Sequence, residues 1–289
     1  MTPTASHASG DRLVDLHMHS TESDGALPPA EVVAAAHDAA LAAIALTDHD
    51  AVGGVDAARA AGALLDVRVV AGVELSAYDG EMEFHVLGLH LTRLADLDRQ
   101  LAAFRAARRT RAERMVERLN TLGVPISLET VLRIAGAGAI GRPHVARALV
   151  EGGWVRDQRA AFDRFIGAGR PAHVPKYRLP MREAIDLIHH AGGLAVLAHP
   201  GAEGTRARLE SLARIGLDGV EVLHPGHSAE DIARLGTLAA HLGLVSSGGS
   251  DWHGAPGSER AIGCMRVPAA WLEAQEARVR ERLARERVA

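Results

Sequence analysis

Short apolar runs that alternate with helical patterns constrain this 289-residue chain more than any other feature. Several runs are continuously apolar, which is typical of strands buried on both faces of a parallel sheet. The seven predicted strands are residues 12–16, 41–47, 67–75, 83–89, 194–198, 219–223 and 244–248. Strands separated by helices predict an α/β fold, namely a TIM-like (β/α) barrel that is distorted because it would have seven strands.

The alternation stops after the fourth predicted strand and returns before the fifth. Between them, Leu94, Leu97 and Leu101 recur at helical spacing and begin a series of predicted helices. We therefore expect a helical subdomain that is inserted into the barrel and folds over its strand ends. The predicted parts are a discontinuous barrel (12–91 and 178–268), the helical insert (92–177), a flexible tail (1–11) and a C-terminal helix (269–289).

Histidine and acidic residues follow the predicted strands, mostly at the point where each strand ends. Asp15-Leu16-His17-Met18-His19 is the clearest case, because side chains two apart on an extended segment project to the same side. In an α/β barrel the carboxyl ends of the strands form one rim, so these groups are expected to converge. The candidate metal ligands are His17, His19, Asp24, His49, Glu74, His85, His199, Asp251 and His253.

This ligand set is too large for one ion that keeps an open position. We therefore expect two or three metal ions, with a carboxylate bridging a pair. Neighbouring cations generate hydroxide near neutral pH and stabilise both oxygens of an in-line displacement, which favours hydrolysis of a phosphate ester. Asp15 and Asp48 are expected to accept the free N–H of ligating imidazoles, and Asp50 is expected to be a turn residue.

Composition excludes several other classes of protein. The net charge of −4 argues against nucleic-acid binding by bulk electrostatics, although it does not exclude a local basic groove. Cys264 is the single cysteine, so an internal disulfide and thiolate metal sites are excluded and a reduced, cytoplasmic setting is favoured. No apolar run reaches the roughly 20 residues of a bilayer span, so no membrane partner is expected. The oligomeric state stays open.

Basic and aromatic residues in and after the insert predict a second site, which would bind an anion. Arg142 opens a predicted helix, whose first N–H groups attract anions, and its planar guanidinium suits phosphate. The candidate substrate-binding residues are Arg142, Lys176, Tyr177, His224 and His227, with His144 as a weaker candidate. The basic stretch 105–111 is expected to be a solvated helix face, although an RNA strand could use it.

The motifs at the strand ends resemble those of the PHP (polymerase and histidinol phosphatase) superfamily over about residues 12–268. They are Asp15-Leu16-His17-Met18-His19-Ser20, Ser23-Asp24-Gly25, Leu46-Thr47-Asp48-His49-Asp50, Gly72-Val73-Glu74-Leu75-Ser76, His85-Val86-Leu87-Gly88, Ala198-His199-Pro200 and Gly249-Ser250-Asp251-Trp252-His253. The resemblance implies a distorted seven-stranded barrel with three metal ions. It would place one ion on His17, His19, Glu74 and Asp251, a second on Glu74, His85 and His199, and a third on Asp24, His49 and His253.

The resemblance also implies a substrate class. Asp24 stands where many members have histidine, as in the branch that hydrolyses 3′,5′-nucleoside bisphosphates and the related exonucleases that trim short RNA from its 5′ end. Manganese is the first expectation for the ions, with zinc or iron as alternatives. The leading hypothesis is a phosphomonoesterase that converts a compound such as 3′,5′-adenosine bisphosphate to AMP and phosphate by means of metal-activated hydroxide.

In this hypothesis His224 and Asp251 are the catalytic residues, and His224 stabilises the phosphoryl oxygens or protonates the leaving oxygen. Arg142 and Lys176 hold the other phosphate, so that a monophosphate leaves their charges unpaired. Three alternatives remain: a 5′–3′ exoribonuclease that acts on short oligoribonucleotides at the same site, a histidinol-phosphate phosphatase, and a non-catalytic metal-binding module.

Overall fold

The computed structural model describes residues 12–136, 138–254 and 260–286, so the predicted tail and the last three residues lie outside the described part. The strands are β1 (Leu13–Met18), β2 (Ala43–Leu46), β3 (Arg68–Asp79), β4 (Met82–Leu89), β5 (Leu194–Ala198), β6 (Gly219–Leu223), β7 (Val245–Gly248) and β8 (Val267–Pro268). The helices are α1 (Pro29–Asp38), α2 (Val55–Leu65), α3 (Leu94–Thr121), α4 (Leu128–Ala135), α5 (Arg142–Glu151), α6 (Gln158–Ala161), α7 (Met181–His190), α8 (Arg206–Arg214), α9 (Ala229–Leu242) and α10 (Ala269–Glu286).

The described strands form a single sheet in the order β7-β6-β5-β4-β3-β2-β1-β8. A parallel bridge between Met18 and Trp252, just past β7, nearly closes the sheet into a barrel, so the α/β barrel prediction is confirmed. The expected count of seven differs by β8, which pairs antiparallel with β1. Two residues are too few to show a periodic pattern, so β8 could not be predicted from the sequence.

β4 runs antiparallel to both of its neighbours, so β3 and β4 form a hairpin where a regular barrel would have a helical connection. Its turn contains Gly80 at a φ of 61°, a backbone conformation that glycine adopts without strain. Because β4 is reversed, its first residues lie at the rim where the parallel strands end. His85 accordingly pairs with Ser76 of β3 and with Ala198 at the end of β5.

β1 is irregular where it delivers its two histidines. Its register against β2 shifts between Asp15 and Met18, and an irregularity of this kind re-aims the side chains that follow it. The aliphatic side chains Val14 and Leu16 pack in one buried cluster, whereas Met18 packs in another against helix α1. The shift therefore separates the apolar part of the strand from its functional end.

The segment between β4 and α7 is helical, as expected for an insert. α3 is 28 residues long, and its first half packs on the main core through Leu97 and Leu101. Its second half belongs to a separate apolar cluster that includes Met115, Val131 and Leu149. This segment thus has an apolar core of its own, and its assignment as an insert over residues 92–177 stays a prediction. Among the described helices, none is long and apolar enough to span a bilayer.

Candidate metal centre and phosphate site

Glu74 lies at the centre of the candidate site and is almost fully buried. Its Oε2 atom is 3.3 Å from His17 Nε2, 3.2 Å from His19 Nε2 and 3.2 Å from His49 Nδ1. Its Oε1 atom is 2.6 Å from His85 Nδ1 and 3.1 Å from His199 Nε2. One carboxylate therefore faces five imidazoles, delivered by four different segments of the barrel.

Asp251 and Asp24 extend this cluster on one side of Glu74. Asp251 Oδ1 is 3.4 Å from His17 Nε2 and 3.2 Å from His19 Nε2. Asp24 Oδ1 is 3.3 Å from His253 Nε2. All nine residues that the sequence singled out as candidate ligands thus lie at one rim of the barrel.

These separations match the spacing of ligand atoms around a shared ion. An ion that holds its ligands at about 2.0–2.2 Å separates neighbouring ligand atoms by about 2.8–3.6 Å. Nε2 of His17 and of His19 and Nδ1 of His49 and of His85 are buried, and although carboxylate oxygens lie 2.6–3.4 Å away, none of these nitrogens makes a hydrogen bond of normal geometry among the described residues. Because a buried polar atom without a partner is costly, these nitrogens fit metal coordination.

In the part of the chain that the structure describes, three groups of side chains are spaced to hold an ion. They are His17, His19, Glu74 and Asp251; His19, Asp24 and His253; and His49, Glu74 and His85. The first group is the one implied by the family resemblance. The other two groups differ from those that the family resemblance implies. His49 lies with Glu74 and His85 instead of with Asp24, and His19 takes its place in the group of Asp24 and His253. The division of ligands among ions, and the number of ions, stay predictions.

The charges of the cluster are strongly coupled. Burial alone would raise the pKa of Glu74, but His49, His85 and His17 hold it well below its usual value. Burial would likewise lower the pKa of His85, but the attraction of Glu74 raises it to about 9. For His49 burial dominates and lowers the pKa to about 3. The carboxylates are thus anionic at neutral pH, as metal binding requires.

The hydrogen bonds behind the ligands differ from expectation. Asp15 was expected to accept an imidazole N–H, which is wrong, because its carboxylate accepts the backbone N–H groups of Ser250 and Gly263 at 2.9 Å. Asp48 accepts the Ser23 hydroxyl at 2.6 Å, and that hydroxyl lies 3.5 Å from Nδ1 of His19. Asp48 therefore reaches the imidazole only through a serine.

Glu221 has the role that was expected of Asp15, and it was not among the residues predicted for the site. Its Oε1 atom accepts the Nδ1–H of His17 at 3.1 Å, and its Oε2 atom accepts the backbone N–H of His199 at 2.7 Å. The side chain is fully buried in β6. A glutamate inside the apolar run Gly219-Val220-Glu221-Val222-Leu223 was the available signal, because a buried carboxylate needs partners.

His224 lies next to the cluster without belonging to a ligand group. Its Nδ1 atom accepts the backbone N–H of Gly226 at 3.0 Å, which leaves the proton of the neutral ring on Nε2. That Nε2 atom is buried, has no hydrogen-bond partner among the described residues and lies 3.5 Å from Asp251 Oδ2. Arg260, which the sequence analysis did not consider, donates to the same Asp251 oxygen.

Two of the expected substrate-binding histidines have structural hydrogen bonds instead. His227 donates from Nδ1 to the carbonyl of Val222 at 2.9 Å and accepts the N–H of Gly201 at Nε2, so neither nitrogen is available to a phosphate. His144 accepts the N–H of Gly141 at 2.9 Å and thereby caps helix α5. The expectation therefore does not fit His227, whose two ring nitrogens are both engaged, whereas for His144 it stays a prediction.

A cation-lined pocket lies between helix α3 and the chain that leaves the insert. The ammonium of Lys176 is 2.6 Å from Glu83, and Tyr177, which is 57% exposed, packs its ring against Phe104. Arg142 starts helix α5 as predicted, and its guanidinium lies over the Phe162 ring. The residues that line the pocket are Asp50, Ser76, Phe104, Ala107, Arg108, Arg111, Lys176, Tyr177 and Leu179.

Arg108 and Arg111 are more buried than the sequence predicted. They were assigned to a solvated helix face, but the side chain of Arg108 is only 10% exposed and pairs with Asp50. Burial, followed by repulsion from Arg142 and Arg108, lowers the pKa of Arg111 to about 10. The helical spacing of Arg105, Arg108 and Arg111 was the signal that these cations share one face of α3, but it does not show that this face turns towards the barrel.

Comparison with known proteins now identifies the family. A family model described as the PHP domain matches residues 15–230. The chain belongs to the PHP family. It is 37% identical over 251 residues to the 3′,5′-nucleoside bisphosphate phosphatase of Chromobacterium violaceum, covering 84% of this chain and 88% of the relative. It is 34% identical over 249 residues to the 5′-3′ exoribonuclease Rnm of Escherichia coli, covering 83% and 85%.

A solved structure supports the same assignment. This PHP chain superimposes with a TM-score of 0.86, at 32% sequence identity, on a protein from Bifidobacterium adolescentis that is provisionally named a metal-dependent phosphoesterase. The superposition covers 92% of this chain and 96% of the other. Phosphoester hydrolysis by a PHP fold with a histidine and carboxylate cluster is thus the activity that the comparisons support, without fixing the substrate.

Proposed function

We propose that this PHP protein hydrolyses a phosphomonoester of a 3′,5′-nucleoside bisphosphate. The observation that carries the proposal is the pairing of two sites at one rim. The imidazole and carboxylate cluster around Glu74 suits the phosphate that reacts. The pocket lined by Arg108, Arg111 and Lys176 suits a second anion, and the ring of Tyr177 suits a base.

The ligand cluster fits divalent cations, and manganese is proposed as the ion, with zinc or iron as alternatives. The nine rim residues would hold two to three ions, and Glu74 belongs to two of the three ligand groups. When bound, such ions supply a nucleophile at neutral pH and neutralise charge on the phosphoryl oxygens. Glu221 would fix the ring of His17 through the hydrogen bond to Nδ1, which keeps Nε2 available to a metal.

His224 is proposed to act on the reacting phosphate itself. Its Nε2–H is buried beside Asp251 and is not engaged by another described residue. It could therefore donate a hydrogen bond to a phosphoryl oxygen or transfer the proton to the leaving oxygen. Asp251 would orient His224 in addition to its place among the candidate ligands.

The second phosphate is proposed to bind Arg142 and Lys176 together with the arginines of α3. The pKa of Lys176 is lowered by burial and by Arg108, so the pocket concentrates positive charge that nearby carboxylates only partly neutralise. A bisphosphate would neutralise this excess positive charge, whereas a monophosphate would leave it uncompensated. This difference would give the enzyme its preference for substrates with two phosphates.

A second candidate function is 5′–3′ exoribonuclease activity on short oligoribonucleotides. It is favoured by the exposed ring of Tyr177, on which a base could stack, and by the similarity to the exoribonuclease Rnm. Nothing in the pocket favours histidinol phosphate, which has no second anion. A non-catalytic module would need no cation pocket beside its metal ligands.

The test is a phosphate-release assay with Mn²⁺-loaded protein. We expect kcat/KM for 3′,5′-adenosine bisphosphate to exceed that for AMP or 3′-AMP by about tenfold or more. This factor corresponds to the free energy of one charge-assisted hydrogen bond. A dinucleotide that is cleaved faster than the bisphosphate would favour the exoribonuclease. Equal rates on mono- and bisphosphates would contradict the proposal.

A further inference from the structure

A buried ion pair joins the helical insert to the metal-binding rim. Arg108 of α3 donates from Nε to Oδ2 of Asp50, and both side chains are 10% exposed. Asp50 directly follows His49, a candidate metal ligand, and has a φ of 50°. A non-glycine residue is uncommon in this left-handed conformation and persists only where its surroundings hold it.

Three further contacts fix the same turn. Arg105 donates from Nη1 to the carbonyl of Asp50 at 3.2 Å, and the N–H of Asp50 donates to the carbonyl of Glu74 at 3.1 Å. His49 in turn has its Nδ1 atom 3.2 Å from Glu74. Helix α3 therefore holds the turn that sets the position of the His49 ring.

The other end of the Arg108 guanidinium belongs to the anion pocket. Arg108 lines that pocket with Arg111 and Lys176, and its Nη2 atom is buried without a hydrogen-bond partner among the described residues. A buried guanidinium nitrogen without a partner is costly, so a ligand that accepts from it would bind strongly. Phosphate is the ligand that a guanidinium next to further cations favours.

We propose that Arg108 is a positioning residue that couples the anion pocket to the metal centre. Its Nε–H holds Asp50 and through it His49, while its Nη2–H₂ receives the second phosphate of the substrate. A bisphosphate would immobilise the guanidinium that holds the metal-binding turn, and a monophosphate would not. The binding of a second phosphate by Arg108 rests on the proposed function. The positioning of His49 through Asp50 rests only on contacts within this chain.

Three variants distinguish the two proposed roles of the Arg108 guanidinium, namely the contact of Nε with Asp50 and the contact of Nη2 with an anion. Arg108→Ala removes both ends, and Asp50→Asn removes the charge that holds Nε but leaves the guanidinium in the pocket. Arg109→Ala is the matched control, because Arg109 is exposed on the same helix and pairs with Glu113. Mn²⁺ affinity is measured by electron paramagnetic resonance of the free ion, and kcat/KM is measured for 3′,5′-adenosine bisphosphate and for AMP.

We expect Arg108→Ala and Asp50→Asn to weaken Mn²⁺ binding about tenfold, and Arg109→Ala to leave it unchanged. We expect Arg108→Ala to reduce the ratio of bisphosphate to AMP kcat/KM about tenfold or more, and Asp50→Asn to change that ratio less than about threefold. If Arg108→Ala does not fold, we expect the same results for Arg108→Gln, because glutamine lacks both the positive charge and the paired N–H donors of the guanidinium.

Two results would overturn the coupling. Wild-type Mn²⁺ affinity in Arg108→Ala would make Arg108 only an anion ligand, and an unchanged substrate ratio would make it only a structural link. A wild-type protein without any preference for the bisphosphate would instead refute the proposed function. In that case the Mn²⁺ comparison would still decide whether Arg108 positions His49.

Discussion

Replacing Glu221 with glutamine tests whether this buried carboxylate prepares His17 for metal binding. The two carboxylate oxygens each accept one hydrogen bond, from His17 and from the backbone of His199. Glutamine has a single oxygen acceptor, so one of the two donors must lose its partner whichever way the amide is turned. An unpaired buried donor costs about 1–3 kcal/mol.

The expected result of Glu221→Gln follows from that cost. Loss of a carboxylate behind a ligating imidazole lowers metal affinity about 10–100-fold, which corresponds to about 1.4–2.7 kcal/mol and agrees with the penalty of one unpaired donor. The assay is calorimetric titration of metal-free protein with Mn²⁺, combined with thermal unfolding of the same samples. We expect the metal affinity to fall by this factor while the chain remains folded.

Asp218→Asn provides the matched control for Glu221→Gln. Asp218 also accepts from a histidine and from a backbone N–H, namely His189 Nε2 and Ala195 N, both at 2.8 Å. It lies just before β6, at the opposite end of that strand from the metal cluster. Its replacement should therefore lower the unfolding temperature without changing Mn²⁺ affinity. Equal Mn²⁺ affinity in Glu221→Gln and the wild type would refute the reasoning about His17.

Three further changes test other parts of the site. Glu74→Gln should reduce phosphate release about a thousandfold or more, because the charge shared by the candidate ions is lost; near-normal turnover would contradict this. Gly249→Ala should destabilise the chain by about 1–3 kcal/mol in thermal unfolding, because its Cβ would lie 2.5 Å from the backbone nitrogen of His17. The attraction of Glu74 and Asp251 outweighs burial and raises the pKa of His19 to about 10, so the metal-free ring is protonated at pH 7.5. Metal binding requires the neutral ring, so calorimetry in two buffers should show proton release and an affinity that rises from pH 6 to 9.

The sequence alone was sufficient for the parts that depend on local pattern. Continuous apolar runs predicted the strands, because a strand buried on both faces must be apolar throughout. The position of a polar residue at a strand end was enough to place it on the rim, as for His17, Asp48 and His199. The identity of the nine candidate ligands therefore needed no coordinates.

The tertiary structure decided the parts that depend on which segments meet. Only the reversed direction of β4 explains why His85, near the start of its strand, reaches the same rim as the strand ends. The division of ligands into groups depends on side-chain distances of a few ångströms, and His49 moved between groups for that reason.

The partners of Glu221 and of the arginines of α3 could not be read from the sequence either. Glu221 meets His17 across 204 positions of the chain, and Arg108 meets Asp50 across 58. A charge on a helix looks the same in sequence whether it faces water or a buried carboxylate. Local pattern thus determined which residues can do chemistry, whereas packing between distant segments determined their partners, because each partner is set by the fold and not by its neighbours in the chain.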